Sequence, residues 1–126
     1  MNKKIPSNSL VTINKERVAT QLRELAEQVE SGAISCYELK QTDSSVTFTV
    51  DSANGQERMI NHQDHIPGLR REQIEHIQKQ SPQQRRELVK TLVAENMPQT
   101  EIAKRTMTSQ KTISNDIRRL KNDGVL

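Results

Sequence analysis

Three spacings of apolar residues follow one another along the chain. Between residues 15 and 31 Val18, Leu22, Leu25, Ala26 and Val29 recur as one stripe at the helical period. Asn14 stands where a side-chain oxygen caps first-turn amides. Ile13 and Val18 hold the two positions of a hydrophobic staple, and Gly32 follows the last apolar residue as the left-handed stop. From Ala33 the period falls to two. Val46, Phe48 and Val50 alternate with polar residues across 45–51, and 34–40 makes a partner strand through Thr42-Asp43-Ser44. Asn54-Gly55 signals a type I′ hairpin leading to a short strand over 57–60. The pattern predicts an α+β module over 1–61, a helix on a three-stranded antiparallel meander, serving dimerisation or partner contact.

Residues 62–68 lose all periodicity and contain Pro67-Gly68, which reads as a linker. Leu69, Ile74 and Ile77 then give a sparse stripe that predicts a connector helix over 70–80. Ser81-Pro82 restarts the chain as a cap followed by proline at the first helical position. Three short helices are expected after it: 82–96 burying Leu88, Val89, Leu92 and Val93, about 98–106 burying Ile102 and Ala103, and, capped by Ser109, 109–122 burying Ile113, Ile117 and Leu120. Only three or four residues join the last two, which forces a sharp crossing. The small Ala103 suits the point of closest approach.

Composition narrows the classes. Hydrophobic residues are 32% of 126 and the aromatics are Tyr37 and Phe48 alone, so any core is thin. No stretch has the roughly 18 apolar residues of a membrane span, no secretory h-region follows Lys3 and Lys4, and a cytoplasmic location is expected. Cys36 is the only cysteine, and in a predicted strand it reads as a small buried hydrophobe. His62-x-x-His65, with Asp64 between, lacks a second ligand pair, so no metal is expected. No nucleophile has an evident base and no glycine-rich phosphate loop is present. The chain does not read as an enzyme, and no cofactor or small-molecule ligand is expected.

The charge is uneven. Residues 1–60 hold 7 basic and 8 acidic side chains, whereas 82–126 hold 9 and 5. Such asymmetry points to a polyanion at the C-terminal end. The exposed face of the last helix is Ser109, Gln110, Lys111, Ser114, Asn115 and Arg118, residue types that hydrogen-bond to base edges in a major groove. Arg85, Arg86, Lys104, Arg105, Arg119 and Lys121 surround them as candidate phosphate contacts.

The run Gln99-Thr-Glu-Ile-Ala-Lys-Arg-Thr-Met-Thr-Ser-Gln-Lys-Thr-Ile113 resembles the helix-turn-helix of bacterial and phage regulators. The following Thr112-Ile113-x-x-Asp116-Ile117-x-x-Leu120-x-x-x-Gly124-x-Leu126 is similar to the recognition helix of DeoR-type repressors. The resemblance covers about 45 residues and implies a trihelical DNA-binding domain over 81–126. The turn departs from the usual Leu-Gly-Val-Ser: here it is Thr106-Met107-Thr108-Ser109, with methionine where a left-handed glycine is usual. The chain also stops at Leu126, so a trihelical unit without a full wing is expected. The N-terminal helix, Glu30-Ser-Gly-Ala-Ile34 and the hairpin resemble amphi-Trp type modules, although tryptophan is missing, and this adds no function.

The sequence thus predicts a sequence-specific double-stranded DNA-binding regulator, a repressor acting as a homodimer, of the small size found in phage or mobile-element regulators. Two rivals stand beside it: a phage or plasmid DNA-processing accessory that recognises a packaging site or origin, and a protein-interaction adaptor.

Overall fold

The computed structural model describes residues 15–126; the expected Asn14 cap and Ile13 staple lie outside them. The architecture is α+β: α1 (Lys15–Glu30), β1 (Ile34–Gln41), β2 (Ser45–Ser52), β3 (Glu57–Ile66), β4 (Leu69–Gln78), α2 (Pro82–Ala94), α3 (Gln99–Thr106) and α4 (Gln110–Asn122). The described chain falls into two compact units, residues 15–76 and 77–126.

In the first unit the strands form one antiparallel sheet in the order β1-β2-β3-β4. α1 ends as expected, with Gly32 at φ +79 and the Ala33 amide donating to the Gln28 carbonyl, a Schellman closure. It packs Leu25 against Val46 and Phe48, with Val18, Ile34 and Val50 around them. Val46, Phe48 and Val50 pair across β2 and β3 with Gln63, Asn61 and Met59. Two of these three β3 partners are therefore amides. Gln63 and Asn61 are buried and satisfied: Gln63 Nε2 donates to Gln21 Oε1 of α1 at 3.1 Å, and Asn61 Nδ2 donates to Glu72 Oε2 at 2.8 Å. Glu72 is also paired with Arg17 of α1.

On the opposite face Thr49 and Ile60, directly paired, are buried. One side of them carries the Arg58–Asp51 ion pair. The other carries a chain in which Thr47 Oγ1 meets His62 Nδ1 at 2.8 Å, His62 Nε2 meets Asp64 Oδ1 at 3.0 Å, and Arg71 donates to Asp64 Oδ2 at 2.9 Å.

Four expectations need correction. The linker over 62–68 and the helix over 70–80 are instead strand: β3 runs to Ile66, and Pro67-Gly68 is the two-residue turn into β4. Proline followed by glycine at φ +84 is the combination a type II turn requires. The meander accordingly has four strands. The Asn54-Gly55 turn is not type I′, since only Gly55 has positive φ. Gly55 N–H bonds to the Ser52 carbonyl, and Asn54 Oδ1 accepts from Ser52 Oγ and the Gln56 amide. Cys36 is exposed, because β1 is an edge strand solvent-facing almost throughout. His62 and His65, three apart on β3, lie on opposite faces of the sheet.

In the second unit α2, α3 and α4 share a core of Val89, Leu92, Ile102, Ala103, Ile113 and Leu120, lined further by Leu88, Val93, Met97 and Ile117.

Candidate nucleic-acid interface

In the second unit α2 and α4 start at side-chain caps and end in backbone closures. Ser81 Oγ accepts from the Gln84 amide while Gln84 reaches back to the Ser81 N–H, a reciprocal box ahead of Pro82. α2 closes through Asn96 at φ 62, with Met97 N–H bonding to the Leu92 carbonyl. α4 closes the same way, Val125 N–H bonding to Leu120. Between these stops the connection from α3 to α4 is Met107-Thr108-Ser109.

That connection explains how methionine replaces glycine. Met107 sits at φ 57, ψ 41, in the left-handed region, at a cost of about 1 kcal/mol for a side-chain-bearing residue. The turn around it is densely bonded. Thr108 N–H reaches the Ala103 carbonyl, and buried Thr106 Oγ1 donates to the Ile102 carbonyl at 2.8 Å and lies 2.9 Å from Thr108 Oγ1. Threonine at a core position is thus satisfied by its own helix. Ser109 Oγ accepts from the Thr112 amide at 3.1 Å and starts α4.

On α4, Ile113, Asp116 and Leu120 are buried, and Gln110, Lys111, Asn115, Arg118, Arg119 and Lys121 are exposed, with Ser114 half-buried. The expected base-facing set therefore shares one outward arc. Ser109 is also exposed, but its hydroxyl oxygen is engaged as the cap. Arg118 Nη1 donates to Asn115 Oδ1 at 3.3 Å, linking two members of the arc. Lys111, Arg119 and Lys121 make no ion pair among the described residues.

The expected phosphate set divides. Arg119 and Lys121 are exposed on α4; Arg86 and Lys104 are half-buried. Arg85 is corrected outright: its guanidinium is turned into the unit and clamps Asp116 with two bonds, 2.7 and 3.0 Å. The Asp116 hydrogen bond raises the Arg85 pKa against the opposing effect of burial. Arg105 is likewise committed, to Glu101 one turn earlier at 2.7 Å. Sequence reading missed Asp116, although its signal was present: a carboxylate on the apolar stripe of a helix demands a basic partner.

Comparison with protein-family models, curated proteins and solved structures returns no match to this chain.

Proposed function

We propose that the chain is a sequence-specific double-stranded DNA-binding protein, a transcriptional repressor working as a homodimer, in which α2–α4 act as a helix-turn-helix and α4 enters the major groove. One observation carries this reading. The acid within α4 is buried against Arg85, so the arc that remains outside is amide, hydroxyl and free cation: Gln110, Ser114 and Asn115 beside Lys111, Arg118, Arg119 and Lys121. Thirteen residues make a helix about 20 Å long, suited to a groove about 12 Å wide. Gln and Asn match adenine, Arg and Lys match guanine, and the remaining cations lie where phosphates flank the groove.

Binding of the intact protein to a labelled duplex across a salt series tests the reading. Neutralising about 4–6 phosphates predicts an affinity falling by several powers of ten per tenfold rise in salt. Absence of duplex binding at low salt overturns it. Selection of bound sites from genomic fragments separates regulator, whose sites lie at promoters, from an accessory protein with sites at an origin or packaging locus.

A further inference from the structure

Among the described residues, the first unit leaves β1 as a bare edge. We propose that β1 pairs antiparallel with β1 of a second copy about a two-fold axis at Leu39, joining two four-stranded sheets into one. Of the functional reading this takes only the expectation of a homodimer; it rests on residues of the first unit.

β1 stands at one end of the strand order and is exposed from Ser35 to Gln41. Two of these exposed side chains are large and apolar, Tyr37 at 54% and Leu39 at 38% exposure. Both pair with apolar residues of β2, Val50 and Phe48, on the side covered by α1. On that same side α1 leaves Leu22 and Val29 exposed. An apolar edge with unpaired backbone groups is a template for another strand unless something blunts it.

The backbone restricts which registers are open. Thr42 N–H bonds to the Ser45 carbonyl, so the pairs two and four residues along, Lys40–Thr47 and Glu38–Thr49, are also hydrogen-bonding pairs. The N–H and C=O groups of Tyr37, Leu39 and Gln41 therefore point away from β2. A second copy must set odd residues opposite odd residues.

Charge then selects among the symmetric choices. An axis at residue 38 or 40 opposes like charges, Glu38 on Glu38 or Lys40 on Lys40. An axis at 37 or 41 gives no charge pair. The axis at Leu39 sets Glu38 of each copy opposite Lys40 of the other, twice, and brings Leu39 against Leu39 on the apolar side. Among the described residues neither the Glu38 nor the Lys40 side chain has a hydrogen bond or ion pair, although Glu38 feels the Arg58 charge at longer range. On the other edge strand, β4, two of the charges are already paired: Arg71 with Asp64, and Glu72 with Arg17 and Asn61.

Sedimentation velocity of the full chain and of Glu38→Lys, Lys40→Glu and the double exchange tests the register. Each single reversal turns two attractive pairs into two repulsive ones and should weaken the dimer roughly tenfold, whereas the double exchange restores it. In a Cys36→Ser background, Leu39→Cys should form an intermolecular disulfide, because a hydrogen-bonded antiparallel pair has Cα atoms about 5.5 Å apart. A wild-type chain that stays monomeric, a dimer indifferent to both single reversals, or a dimer that does not cross-link at 39 overturns the proposal. Duplex binding followed in the same samples keeps the two readings apart. Its loss with self-association intact counts against α4 and not against β1.

Discussion

Arg85 on α2 grips Asp116 on α4 with two near-ideal hydrogen bonds, Nε to Oδ2 at 2.7 Å and Nη2 to Oδ1 at 3.0 Å, across 31 residues of sequence. Their side chains are 15% and 6% exposed. The pair joins the first helix of the unit to the helix carrying the outward polar arc, beside a core of only six buried apolar residues among those described. Its role is to hold α4, and it keeps the only acid inside α4 away from the outward polar arc.

Removing one partner leaves the other charge desolvated. Asp116→Asn should therefore destabilise the second unit by about 2–4 kcal/mol. Glu101→Gln, which breaks the more exposed pair to Arg105, should cost under about 1 kcal/mol. Urea titration of each variant measures both. Arg85→Ala should lose duplex affinity only in step with its unfolded fraction and leave the salt slope unchanged. A phosphate contact would instead lower that slope in fully folded protein.

Met107 holds a left-handed turn that costs a side chain about 1 kcal/mol. Met107→Gly should raise stability by up to about that amount, reduced by the greater freedom glycine has in the unfolded chain. A thermal midpoint lower than wild type would show that contacts of the half-buried methionine outweigh its backbone strain.

The same contrast explains what the sequence let one read. Periodicity reports burial against apolar partners, and it located α1, β1, β2 and the three C-terminal helices to within two residues. It failed from Asn61 onward because β3 turns Asn61, Gln63 and His65 inward, and the amides among them are satisfied by Gln21 and Glu72. A strand whose buried side is polar shows no alternation. β4 compounds this: as an edge it keeps Ile74 53% exposed, and Leu69, Ile74 and Ile77 imitate a weak helical stripe while Ile74 and Ile77 lie on opposite faces of the strand. Arg85 was misjudged for a related reason: its partner is 31 residues away, and a basic residue shows in sequence no sign of whether its charge is spent.

Paired carboxylates on both faces of the sheet should make the first unit acid-sensitive. Asp64 titrates below its usual range because Arg71 and then His62 donate to it. Burial pushes Glu72 upward, but hydrogen bonds from Asn61 and Arg17 outweigh it and leave its pKa lowered. A carboxyl whose folded value is depressed contributes stability above its unfolded value, about pH 4, and loses it as pH falls through the folded value. The thermal midpoint should thus be flat near neutrality and drop on acidification below about pH 4–5. Glu72→Gln should begin lower at pH 7 and fall less steeply toward pH 3, as circular dichroism melts would record.

The outward arc of α4 separates two kinds of contact that substitutions should tell apart. Arg119 and Lys121 lie at its C-terminal end, exposed and without an ion partner among the described residues. Each, replaced by Ala, should weaken binding to all duplexes alike and reduce the salt slope by about 1. Lys111 and Asn115, one helical turn apart in the arc, should instead carry discrimination. Replacing either with Ala should cost about 1–3 kcal/mol on a selected site and much less on random duplex. Because Asn115 also accepts from Arg118, its loss frees that guanidinium to take a new position, so Asn115→Ala should relax preference at more than one base pair. Competition between selected and scrambled duplexes reads the difference. Equal losses on both would mean that α4 touches only the backbone.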